Sequence, residues 1–195
     1  METLVLDLNK RYTYADYLTW MDDVRRELID GFINMMAGTS RFHGKVSGNI
    51  FGELRAYLKN NRCDCELYTA PIDVLLPKNG ETDNDKIFDV VQPDIFVVCG
   101  GWKGGENAFL GAPDMVVEIL SSSNRKKDTI KKYNLYEKAG VREYWIADPK
   151  VKIVTVYVMQ ENGEFDDGEV YQRGEKIPVH IFNGHLIEAN DIFDF

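Results

Sequence analysis

The chain has 195 residues, 44% of them hydrophobic, with 32 acidic against 23 basic residues and a net charge of -9. Residues 1–195 match the size of one α/β domain with a full core, and the acid excess excludes a nonspecific nucleic-acid coat while leaving room for a local basic cleft. The N-terminus lacks a basic region followed by a long apolar run, and no stretch reaches the ~18 consecutive apolar residues of a membrane span, so a cytoplasmic protein without a membrane partner is expected.

Thr13 to Met21 reads as a short capped helix, with Thr13 as N-cap and Asp16 three residues on. Glu27 to Met35 reads as a hairpin, its tight turn made by Asp30-Gly31. Thr39 or Ser40 then opens a helix to about Asn60, in which Val46, Ile50, Phe51, Leu54, Tyr57 and Leu58 recur at helical spacing. Three strands are expected next: Leu67 to Leu76, interrupted by Pro71; Val90 to Val98; and Pro113 to Leu120. The glycines of Gly100 to Gly105 do not match a phosphate loop, since no Gly-Lys-Ser/Thr ends the run, and they suggest a loop tip or lid. A helix from Asn124 to Ala139 stops at Gly140, followed by strands over Val141 to Ala147 and Lys152 to Met159, a turn at Asn162-Gly163 and short β segments. This order predicts a central mixed sheet flanked by helices, the third and fourth strands forming a parallel crossover unit.

Cys63, Cys65 and Cys99 are odd in number, and the first two are separated by one residue, so reduced structural thiols are expected rather than a disulfide framework or a zinc site. The basic run of Arg125, Lys126, Lys127, Lys131 and Lys132 is interrupted by one acid, Asp128. At about 100° per residue, Lys132 falls near the middle of the arc holding Thr129, Tyr133, Leu135, Tyr136 and Ala139, whereas Lys127, Lys131 and Lys138 fall opposite. Either the Lys132 stem packs on the sheet while its ammonium snorkels to water, or it serves a site.

Two acids stand out because their strands read as near-continuous apolar runs: Asp94 in Pro93 to Val98 and Glu118 in Met115 to Leu120. Burying an unpaired carboxylate is costly, so each needs a partner. Two carboxylates and a lysine at one sheet edge suit metal-dependent phosphodiester hydrolysis, because Mg²⁺ commonly takes one or two protein carboxylates and leaves other positions to water and phosphate.

Pro93-Asp94 followed, after residues 95–117, by Glu118 in this element order resembles the PD-(D/E)XK nuclease superfamily. Arg26 to Gly31, His43, Gln92 to Ile95, Val117 to Ser121, and Asp128 through Lys132 to Tyr136 with Ala139 to Trp145 are similar to the Uma-type family of restriction endonucleases. The resemblance implies a restriction-endonuclease-like fold and a DNA endonuclease using Mg²⁺, with Mn²⁺ as a substitute. It further implies Asp94 and Glu118 as metal ligands and a homodimer that presents two sites to two strands. The superfamily pattern places lysine two residues after the acid, where this chain has Leu120; the position matching the family's helix lysine is Lys132. Glu27, His43 and Asp73 are accessory candidates. Asp114 is the rival first acid, or a cap at the start of its strand. Two other readings compete: a nuclease-like fold that binds DNA or a protein without cleaving, and a structural domain whose acids pair with Lys132 or Arg142.

Overall fold

The computed structural model describes residues 4–36, 38–121 and 125–195, excluding the side chains of 125–128. The expected helix start at Asn124 and the outward direction of Lys127 lie outside the described residues.

Helix α1 (Tyr14–Tyr17) is closed by a capping box in which Thr13 and Asp16 each accept the other's backbone N–H, but it is shorter than expected. Strands β1 (Arg26–Ile29) and β2 (Phe32–Met35) form the expected hairpin, with Asp30 and Gly31 both at positive φ. Helix α2 (Arg41–Asn61), capped by Ser40, buries Val46, Ile50 and Leu54 completely. Each such side chain contributes roughly 1.5–3 kcal/mol.

Two expected strands each divide in two. Leu67 to Leu76 becomes β3 (Cys65–Thr69) and β4 (Asp73–Leu75), with a cis Ala70–Pro71 bond between them. Val90 to Val98 becomes β5 (Val90–Val91) and β6 (Ile95–Cys99), separated by Gln92-Pro93-Asp94. In both cases a proline, which has no N–H to give a ladder, marks the point where the chain leaves one sheet for another. A short strand not anticipated, β7 (Ala108–Leu110), follows; then come β8 (Met115–Ile119), α3 (Arg125–Ala139), β9 (Glu143–Asp148), β10 (Ile153–Val158), β11 (Glu169–Gln172), β12 (Lys176–Val179), β13 (His185–Glu188) and α4 (Ala189–Ile192).

The strands make a six-stranded mixed sheet in the order β11-β10-β9-β8-β6-β3, a five-stranded sheet in the order β2-β1-β5-β4-β7, and a β12–β13 pair. The five-stranded sheet was not expected. Strand β8 runs parallel to β9 across α3, as the crossover reading requires, and antiparallel to β6. Ile95, Val97, Met115, Val117 and Ile119 join the apolar cluster containing α2 residues. Phe96, Val98 and Val116 point the other way, into the cluster containing Tyr136 of α3 and Tyr144 of β9. In the Gly100 to Gly105 loop Trp102 packs on Tyr68 and Phe109, and none of these glycines lines the Asp94–Glu118 cavity.

The thiol expectation is overturned. Cys65 and Cys99 are directly opposed across β3 and β6 and form a disulfide, leaving Cys63 free. Sequence spacing could not suggest the pair, because strand register brought the two together. No helix among the described residues is long and apolar enough to cross a membrane.

Candidate active site

The segment Gln92-Pro93-Asp94 joins the two large sheets, and the candidate site lies at that joint. Ile95 pairs with Val117, so one step back along the same register Asp94 comes opposite Glu118. Directly opposed residues project to the same face of a sheet. Here that face carries α3, because Val116 and Phe96, two residues from each acid, pack with Tyr136.

Lys132 and Tyr136, one helical turn apart, reach the same carboxylate oxygen. Lys132 Nζ donates to Glu118 Oε1 over 2.8 Å, and the Tyr136 hydroxyl donates to it over 2.7 Å. Lys132 also donates to Glu27 Oε1 at 2.7 Å. Glu27 comes from β1 in the other sheet; it accepts the Gln92 backbone N–H at 3.0 Å and the Asn34 amide at 3.2 Å. The Lys132 and Glu27 side chains are only 10% and 2% exposed, so the ion pair is largely withdrawn from water. The Lys132 ammonium therefore does not snorkel to water but is turned inward onto the two acids.

Asp94 Oδ2 accepts the Ile119 backbone N–H at 2.7 Å and lies 3.1 Å from His43 Nε2. Asp94, Glu118, Glu27, Lys132 and His43 line one cavity of about 110 Å³, with Arg25 at its edge. Arg25 is exposed, and its Nε donates to Gln92 Oε1 at 3.0 Å, while Gln92 Nε2 donates to Asp73 Oδ1 at 2.9 Å. Asp73 therefore sits behind Gln92, also accepting from the Tyr17 hydroxyl, and does not line the cavity. Asp114 is elsewhere too: it accepts the Cys99 N–H at 2.6 Å and pairs with Arg142 at 2.8 Å, the position of a cap.

Burial pushes the Glu118 carboxyl up to about 7, with Asp94 and Glu27 adding to the rise and the Lys132 ammonium opposing it. Burial alone would lower Lys132, but Glu118 and Glu27 outweigh it and hold the ammonium firmly protonated. For His43 burial also works downward, and the Asp94 carboxylate overcomes it, so its pKa is raised. Glu143 makes an instructive contrast. It is fully buried, but the fixed N–H groups of Trp145 and Ile181 satisfy it away from the cavity, which makes it a structural acid.

Sequence reasoning left Arg25 and Asn34 unnamed and read Tyr136 only as core. A hydroxyl one turn beyond Lys132 was the available signal for Tyr136; nothing local pointed to Arg25 or Asn34, which arrive with the other sheet.

This arrangement defines a restriction-endonuclease-like fold with an acidic, lysine-bearing cavity. Residues 14–188 match the profile of the family described as "Uma2: Putative restriction endonuclease", and the chain belongs to that family. It is similar to a crystal structure described as "a putative nuclease belonging to DUF820" from Anabaena variabilis, with a TM-score of 0.73 and 23% identity over 93% of this chain and 97% of that one. It is also 25% identical over 153 residues, 77% of this chain and 75% of the other, to the uncharacterized protein slr1290 of Synechocystis sp..

Proposed function

We propose that the chain is a DNA endonuclease that hydrolyses phosphodiester bonds with the help of a divalent ion, Mg²⁺ or in its place Mn²⁺, held by Asp94 and Glu118. The observation that carries this reading is the Lys132 ammonium lodged between Glu27 and Glu118 on the wall of the cavity that also receives Asp94.

The donor chemistry fits such an ion. Two carboxylates from adjacent positions face one cavity, and Mg²⁺ prefers oxygen ligands while keeping several waters. Among the described residues no group of three or more His, Cys, Asp or Glu side chains is placed to hold a metal ion, so the proposed protein ligands are the two acids alone, with the other positions left to water and phosphate. When bound, the ion would make a water more acidic and neutralise charge on the phosphate.

The chain's own residues supply the rest. Lys132, held protonated by two acids, can donate but not accept; it orients a water and stabilises the negative charge that grows on the phosphate. His43 and the Ile119 N–H fix the direction of Asp94. Arg25, steadied through Gln92 and Asp73, offers a planar guanidinium to phosphate oxygens at the cavity edge. A cytoplasmic homodimer, giving each DNA strand one site, completes the proposal.

A second reading, a nuclease-like fold that binds without cleaving, draws support from one observation. Lys132 and Tyr136 already saturate Glu118 Oε1, as a vestigial site neutralised by its own lysine would. Incubation with supercoiled plasmid separates the two. The endonuclease reading expects nicking or linearisation that requires Mg²⁺ or Mn²⁺ and stops with EDTA; intact plasmid under every metal would favour binding alone.

A further inference from the structure

A second, larger recess of about 730 Å³ opens beside the cavity, lined by Arg41, Phe42, Leu120, Lys150, Lys152 and Phe195 among others. Leu120 also walls the Asp94–Glu118 cavity, and Arg41-Phe42 immediately precede His43, so the recess continues outward from the candidate site. On a chain with a net charge of -9, its lining holds three basic residues and no Asp or Glu.

The cations are combined with aromatic faces. Phe42 and Phe195 stack at 4.8 Å between centroids, with the Arg41 guanidinium 4.5 Å above Phe42 and the Lys152 ammonium 4.6 Å above Phe195. Lys152 is also tied to the Phe195 carbonyl, so it holds the aromatic pair in place, whereas Arg41 and Lys150 are exposed. Phe42 is 38% exposed, so part of its ring is open to solvent beside these cations. Stacking platforms set among cations are how single-stranded nucleic acids are held: phosphates meet the charges, and bases stack on aromatic or guanidinium planes regardless of sequence.

We propose that this recess binds an unpaired segment of a nucleic-acid substrate, the strand leaving the cavity past Leu120. The proposal rests on the nuclease reading for the direction of the strand, but its test is independent. Fluorescence anisotropy in EDTA compares a blunt duplex with the same duplex carrying an unpaired extension at either end. The extension should tighten binding by native protein about tenfold, the scale of stacking one base. Arg41→Ala with Lys150→Ala, both at exposed positions, should abolish that gain while thermal melting and cleavage of the blunt duplex stay unchanged.

Equal binding of both DNAs by native protein would overturn the inference, as would a gain that survives the double substitution. Arg41-dependent binding of poly-glutamate without any preference for the extension would overturn it in favour of an acidic protein partner. A native protein that cuts no DNA but shows the Arg41-dependent preference would support the recess as a binding site and overturn the proposed endonuclease instead.

Discussion

Lys132 Nζ lies 2.8 Å from Glu118 Oε1, so the helix lysine and the strand acid meet despite being 14 residues apart. The same ammonium neutralises Glu27, whose carboxylate is nearly sealed from water. Leu120 stands where the superfamily resemblance leads one to expect a lysine, and the ammonium that reaches Glu118 comes from Lys132 on α3.

Removing that cation leaves two buried carboxylates facing each other. Lys132→Met should cost about 3–5 kcal/mol in urea denaturation of the metal-free protein, the scale of breaking a buried pair from one side. The double substitution Lys132→Met with Glu27→Gln should recover part of the loss. A single substitution that changes stability by less than about 1 kcal/mol would mean the ion pair is not buried in solution.

The Glu118 carboxyl gives a pH dependence of definite sign. Its folded pKa of about 7 lies above the ordinary 4.5, so the folded state holds this proton more tightly than the unfolded chain. Its contribution to metal-free stability is complete below about pH 4.5 and disappears as pH rises through about 7. Urea midpoints for native protein should fall across that window more than those of Glu118→Gln. Parallel profiles would place the Glu118 pKa near its unfolded value.

Asp114 and Asp94 both follow a proline, but only Asp94 lines the cavity. Asp114→Asn should leave the cleavage rate within about twofold of native and cost at most about 1 kcal/mol, since its pair with Arg142 is partly solvated. A loss of cleavage in that variant equal to the loss in Asp94→Asn would contradict the assignment of the acids.

The Cys65–Cys99 bridge closes a 34-residue separation away from the cavity. Intact-mass measurement with and without reductant should show one disulfide. Cys65→Ser with Cys99→Ser should lower stability by about 2–4 kcal/mol without changing the cleavage rate of the folded protein. Three free thiols in the native protein would contradict the bridge.

Local signals carried much of the fold. The capping box at Thr13, the Asp30-Gly31 turn, the α2 periodicity and the Gly140 stop all act within a few residues, and each appears where local physics puts it. The helical wheel also set Lys132 on the buried face, because that question depends only on the angle per residue. What could not be read locally was the exchange between sheets. Pro71 reads as an interruption within one strand, and Val90 to Val98 reads as a single strand through Pro93, whereas each proline lies at a crossing between sheets, and only the crossing brings Glu27 to Lys132. The Cys65–Cys99 pairing and the roles of Arg25 and Gln92 were hidden for the same reason: their partners are set by strand register and by the second sheet.

The most direct measurement is single-turnover cleavage of a labelled duplex in Mn²⁺ by native protein, Asp94→Asn and Lys132→Gln, each first checked for folding by thermal melting. Cleavage by the native protein with rates lowered at least about 100-fold in both variants is the predicted result, the scale of losing one group that stabilises the transition state. Cleavage by either folded variant at the native rate would contradict the assignment of the Asp94, Glu118 and Lys132 cluster as the catalytic centre.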